Sequence, residues 1–402
     1  MSHAVETPDL DAGEITIPAG SGAARLPWIG LGIGAAGILG SAAMAASQPA
    51  QMAFSWLVAF LFWISIALGA LFFVLVLYAT KAGWGVAVRR LSENAMATLP
   101  VFVLLFVPVV WGAPHLYSWW NGPGDDPLLQ AKEAYLNSGF FLARAAIYFV
   151  VWSAIAWWYS SRSARQDATG DHGITRLLTA ASGPALILYA VTITFAAIDW
   201  IMILDPHWYS TIFGVYFFSG SLVGVFSFLV IVVVALQSAG YVRRVIHLGH
   251  YHDLGKLLFA FLVFWTYIGF SQYFLIWYGN IPEETIWFRE RMHGSWLGLS
   301  LVLALGHFVI PFFFLMPRAI KTRPPLLLAA AVWMLLMHLA DLYWCVMPIL
   351  HHDGPAFGLA DLAALAAVGG VFLAAFGWML RSRKLIPARD PRLAESLSLD
   401  HA

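Results

Sequence analysis

The sequence predicts an all-α polytopic membrane protein with ten transmembrane helices, and three observations carry that prediction. Of 402 residues 60% are hydrophobic and only 11% charged, where a soluble domain carries about a quarter charged residues. Ten apolar runs of roughly the 20 residues needed to cross hydrocarbon stand between clusters of Gly, Pro and charge. The runs are continuous rather than alternating, which disfavours the short dyad-patterned strands of a β-barrel.

In order, the runs cover about 26–47, 52–79, 97–118, 139–160, 174–203, 211–237, 256–279, 294–316, 325–350 and 360–380. A membrane domain over 26–380 thus separates an acidic tail, 1–25, from a second tail, 381–402. The first tail carries Glu6, Asp9, Asp11 and Glu14 with no Lys or Arg before Arg25, so it lacks the basic start of a secretory signal and the first run reads as an uncleaved helix. Small residues such as Ala42 and Ala46 within it suit close helix packing. With the N-terminus inside, eighteen of the 22 Lys and Arg fall in cytoplasmic segments, three (Lys132, Arg289, Arg291) in outer loops, and Arg144 within a span. That asymmetry predicts both termini in the cytoplasm. The outer connections at about 119–138 and 280–293 read as short surface helices or lids.

Lys plus Arg balances Asp plus Glu at 22 each, so no basic field draws the chain to nucleic acid. The single Cys345 precludes an internal disulfide and the thiolate set of an iron–sulfur cluster, and there is no C-x-x-C-H haem attachment. If electrons pass through an assembly containing this protein, another chain holds the metal.

Ionisable groups inside spans are informative because each costs roughly 3 kcal/mol or more near the bilayer centre unless paired or hydrated. One set collects towards the outer surface: His115, Arg144, Asp199, Asp205 and His207. Arg144 and Asp199 suit each other as an ion pair that either braces two helices or belongs to a pocket with the two histidines, flanked by Phe213 and Phe217. A membrane-accessible pocket is expected there, with His115 and His207 as its proton-accepting or hydrogen-bonding groups. A deeper set comprises His307, His338, Asp341, Tyr267, Ser271 and Gln272. His338 and Asp341 share a helix face three residues apart, and counting 1.5 Å per residue puts them in the outer half of the bilayer with His307 in the inner half. Such a spread suits a proton relay, with interhelical hydrogen bonding as the alternative. His307 and His338 are also of haem-ligand type, but only Gly306 hints at space for a macrocycle, and a relay demands less.

Two stretches, DWIMILDPHWYSTIFGVYFFSG at 199–220 and HDLGKLLFAFLVFWTYIGFSQYFLIWYGNIPEET at 252–285, closely resemble the ActF-type membrane subunit of alternative complex III, a bacterial quinol:cytochrome c oxidoreductase of the NrfD-like, or polysulfide-reductase-C-like, group. The resemblance implies two four-helix bundles, about 52–203 and 211–350, plus two flanking helices in the inner membrane. It implies a quinone or quinol as the small molecule, and no haem or iron–sulfur cluster in this chain. The implied partners are a homologous NrfD-like sister subunit, a periplasmic iron–sulfur subunit, multihaem cytochrome c subunits, other small membrane subunits and lipid. Quinol oxidation would be shared within the complex, since the better supported quinol site lies in the sister subunit. A secondary transporter and a structural scaffold subunit remain alternatives. The first would need matching helix breaks in the two halves, and Gly183-Pro184 has no clear counterpart.

Overall fold

In the computed structural model, residues 12–399 are described, so Glu6, Asp9 and Asp11 of the acidic tail lie outside them. The described residues are helical with no strand among them. Among the described residues nine helices are long and apolar enough to cross a membrane, and a pair bent by 40° brings the number to ten if it is taken as one span. The chain is an all-α polytopic membrane protein.

The first two passes are α1 (Leu26–Ser47) and α2 (Pro49–Ala79), separated only by Gln48. The bent pass is α3 (Val86–Met96) with α4 (Val101–Leu116), broken where Pro100 removes a backbone donor. After a short surface helix, α5 (Pro127–Lys132), come α6 (Ser138–Thr169) and α7 (His172–Trp200). The second half holds α8 (Phe213–Ser238), α9 (Leu248–Gly279), the lid-like α10 (Pro282–Arg291), α11 (Trp296–Leu315) and α12 (Pro324–Val346). Last come α13 (Leu359–Ser382) and a final turn, α14 (Leu393–Leu397). Both loops expected to form short helices do so, as α5 and α10. Asp126 caps α5 by accepting from the Leu128 and Leu129 amides at 2.9 and 3.4 Å.

The most deeply buried helices, α2 and α8, pack against each other at the centre, one from each half. Contact there is backbone-close: a Cβ at Gly69 would lie 2.5 Å from the Ser221 carbonyl oxygen. The flanking helices α1 and α13 do not stand at opposite ends but form the most extensively packed pair in the molecule. Gly30, Gly34 and Gly37 on α1 face Gly370, Ala374 and Ala367 on α13, and a Cβ at Gly37 would lie 2.2 Å from the Ala367 nitrogen. This is the close approach that small residues permit where lipid supplies no hydrophobic drive to bring helices together.

Candidate functional site

The site is built around one carboxyl buried between α8, α9 and α12. Asp341 Oδ1 accepts from the Tyr216 hydroxyl, and Oδ2 accepts from the Trp265 indole N–H at 3.2 Å. Tyr216 lies on α8 and Trp265 on α9, so three helices converge on the group. Arg291 lies at the C-terminal end of α12, fully buried, donating to the carbonyls of Trp287, Trp344 and Cys345 at 2.8, 3.1 and 2.8 Å and lying over the Trp287 ring. The cation thus caps the negative end of the helix that carries Asp341. Burial lowers the Arg291 guanidinium to about 10, which still leaves it charged at neutral pH.

His338, one turn before Asp341, has its own constraints. Its Nε2 lies 2.8 Å from Ser65 Oγ on α2, and the Ser65 hydroxyl donates to the Phe62 carbonyl at 2.7 Å. A hydroxyl has one proton; with that proton on Phe62, Nε2–H must donate to Ser65 and Nδ1 carries the free lone pair. That Nδ1 has no hydrogen-bond partner among the described residues. It faces Gly220, where a Cβ would come within 3.2 Å of it. Beside it is a cavity whose lining includes Tyr216, Gly220, His338 and Asp341 together with Phe213 and Phe217. About 10 Å³ is open to a water's centre, enough for one water. The arrangement sets a proton-accepting nitrogen and a carboxyl around one small space.

His307 occupies a π-helical turn, Leu303–Val309, inside α11. Such turns arise where a helix takes in an extra residue, and they concentrate at functional sites. The freed geometry is held by the Trp333 indole, which donates to the Gly306 carbonyl at 2.7 Å. The His307 ring stacks on Trp265 with centroids 3.7 Å apart and planes 19° apart, and neither ring nitrogen has a hydrogen-bond partner among the described residues.

The structure corrects the expected relay in two respects. His307, Asp341 and His338 are not spread across the bilayer; one indole, Trp265, touches both His307 and Asp341. Counting residues from opposite boundaries ignored the π-turn and could not register one helix against another. A Trp side chain only donates, so it separates His307 from Asp341 instead of linking them by hydrogen bonds. Of the α9 positions expected beside the relay, Tyr267 is 64% exposed on the outward face and Ser271 is only half-buried. Gln272 is buried but accepts from Ser210 Oγ at 2.9 Å. Tyr216, Trp265 and Ser65 are the partners that sequence reasoning missed.

The expected outer pocket of His115, Arg144, Asp199 and His207 does not form. Arg144 Nε and Nη2 donate to the two Asp199 oxygens at 2.7 and 3.0 Å, and the Tyr135 and Tyr148 hydroxyls donate to the same carboxylate at 2.9 and 2.7 Å. With four donors on two oxygens, Asp199 is satisfied and is set as a brace between α6 and α7. His115 is exposed and lines a separate apolar groove with Ser41, Trp56 and Trp111. His207 lies at the surface, its Nε2 2.7 Å from Asp126 Oδ2, while Asp205 accepts from the His207 amide at 3.1 Å. Partial burial raises the Asp126 carboxyl, but the Leu128 amide, the His207 ring and the Leu129 amide together hold it below its ordinary range. Phe213 and Phe217, expected to flank that pocket, line the Asp341 cavity instead.

A second polar cluster lies where the basic segments gather. Arg89 pairs with Glu93 and Asp390 at 3.0 and 2.7 Å, and Arg90 with Glu93 and Asp167 at 3.3 and 2.6 Å. The tail is tied down there: Ser396 Oγ donates to the Trp84 carbonyl at 2.6 Å and accepts from the Ala87 amide at 3.1 Å. Sequence reasoning counted Arg89 and Arg90 as loop charges, yet both are buried.

Compared with known proteins, the chain matches no protein-family model and no curated protein.

Proposed function

We propose that this chain is a membrane subunit of a bacterial quinol:cytochrome c oxidoreductase of the alternative-complex-III type, and that its second half exchanges protons as quinol is oxidised in the complex. The observation that supports the reading is the Asp341 carboxyl, buried among apolar helices and shared by Tyr216, Trp265 and, across one small cavity, His338 Nδ1. A buried carboxyl in a membrane helix bundle is retained at a cost and marks proton or substrate pathways. In this scheme Tyr216 holds a proton against Asp341 Oδ1. His338 offers Nδ1 as acceptor, and Ser65 fixes the tautomer that keeps it free. The first half contributes support instead, since its Arg144–Asp199 ion pair is closed by two tyrosines.

The basic end is cytoplasmic in this reading, with both termini inside the inner membrane. The partners are the homologous sister subunit, a periplasmic iron–sulfur subunit and multihaem cytochrome c subunits docking at the opposite end, where α5 and α10 lie. Affinity purification of the tagged chain from its native membranes tests this. Stoichiometric c-type haem absorbance in the eluate is expected; a pure chain free of haem-bearing partners would refute the assignment. A periplasm-dependent reporter fused after Ala402 should stay inactive, and activity there would refute the orientation.

A further inference from the structure

Tyr216 stands between the Asp341 cavity and a much larger space. A cleft of about 670 Å³ opens sideways between α9 and α11, within the 300–1,000 Å³ typical of small-molecule sites. Three features distinguish it from an ordinary lipid-filled groove. Its floor carries two buried hydrogen-bonding side chains, Tyr216 and Gln272, 6% and 4% exposed. Its α11 wall is the π-helical turn, which contributes Leu303, Ala304, Phe308 and Val309. Its α9 wall is opened by Gly269, where a Cβ would lie 3.1 Å from the Tyr216 ring.

We propose that this cleft binds the ring of a lipid-soluble, quinone-class molecule, with a ring oxygen at Tyr216 and the tail leaving between Tyr267 and Phe270. The rim residues Tyr267 and Phe270 are 64% and 61% exposed on the face turned to the bilayer, so entry is from lipid. An acyl chain would gain nothing from the buried polar floor, whereas a flat ring gains both from the indole and phenyl walls and from the two polar groups. The Gln272 carbonyl is occupied by Ser210, so Gln272 offers N–H donors to a ring carbonyl. The Tyr216 oxygen can accept from a ring hydroxyl while its own proton lies on the Asp341 side. If the ring O–H breaks, its proton forms the new Tyr216 O–H bond, and the former Tyr216 proton forms the Asp341 O–H bond. The products are a ring oxyanion and a neutral carboxyl, with no change of oxidation state.

This site rests on the proposed function for its proton acceptor but not for its binding. The test is photolabelling of the full chain, purified with whatever chains accompany it, in lipid nanodiscs. An azidoquinone with an isoprenoid tail serves as probe, and labelled peptides are mapped by mass spectrometry. Labels are expected on Leu248–Gly279 and Trp296–Leu315, suppressed by excess unlabelled quinone but not by added phospholipid. Two cleft-filling variants, Ala304→Leu from the π-turn and Val263→Trp from the 37% exposed lipid-facing side, should each reduce labelling about tenfold, a loss of about 1.4 kcal/mol in binding. Val263→Trp starts from a more exposed position outside the π-turn, and so gives a second readout if Ala304→Leu misfolds. Labels on other helices, displacement by phospholipid, or labelling that both variants leave intact would overturn the site. Labelling in the cleft with normal proton release in an Asp341→Asn protein would keep the site and remove the relay. The converse result would keep the relay and remove the site.

Discussion

Asp199→Asn should damage the fold more than any redox chemistry. Arg144 is 6% and Asp199 1% exposed, and the carboxylate receives two guanidinium bonds at 2.7 and 3.0 Å and two tyrosine bonds at 2.9 and 2.7 Å. Removing one member of a buried pair leaves an uncompensated charge, at about 3–5 kcal/mol, whereas replacing both by apolar residues is often neutral. The Arg144→Met/Asp199→Leu protein still leaves two tyrosine hydroxyls without their acceptor, about 1–3 kcal/mol each where they stay buried. The double variant, at about 2–6 kcal/mol, should cost less than Arg144→Met and Asp199→Leu taken together, at about 6–10 kcal/mol, which is a coupling energy of about 2 kcal/mol or more in the cycle those two single variants close. Denaturant unfolding in detergent, followed by near-ultraviolet circular dichroism, measures all four proteins. Additive single effects, or an Asp199→Asn protein of unchanged stability that has lost quinol turnover, would refute the bracing role and return Asp199 to the chemistry.

Gly37→Leu should separate α1 from α13, because its Cβ would sit 2.2 Å from the Ala367 nitrogen; a lowered thermal midpoint is expected, while Gly32→Leu, where a Cβ meets nothing within 4 Å, should leave it unchanged. Asp126 has a lowered pKa in the fold, so its contribution is present above the unfolded value of 3.8 and lost as pH falls through the folded one. Amide exchange at Leu128 and Leu129 should accelerate below about pH 4, and Asp126→Asn should remove that dependence.

The run of spans was legible because apolar length alone decides whether a helix crosses a bilayer. The partners of Asp341 were less so. On α9 the buried residues Leu258, Leu262, Trp265, Ile268, Gln272 and Ile276 repeat at helical spacing, and that face contains Trp265 and Gln272 but not Tyr267 or Ser271. Reading for polar residues instead of for the shared face selected the wrong two. Tyr216 and Ser65 carry no charge, so nothing marked them apart from other hydroxyls. Gly30 and Gly34 stand four apart, a visible small-residue pair, yet their partner on α13 is set by tertiary contact more than 300 residues away. Arg89 and Arg90 were read as charges of a cytoplasmic segment, which concealed a buried cluster completed by Glu93, Asp167 and Asp390, from segments that sequence spacing cannot bring together.

The central claim is that the Asp341 carboxyl exchanges protons during turnover of the complex. Asp341→Asn retains an oxygen for Tyr216 but cannot carry the proton, so the variant complex is reconstituted into sealed vesicles and proton release and electron transfer are measured separately. Proton release per electron should fall in Asp341→Asn and recover in Asp341→Glu, with the partner chains still bound. Wild-type values of both quantities in Asp341→Asn would contradict the account and leave Asp341, Tyr216 and Trp265 as hydrogen bonds that hold three helices together.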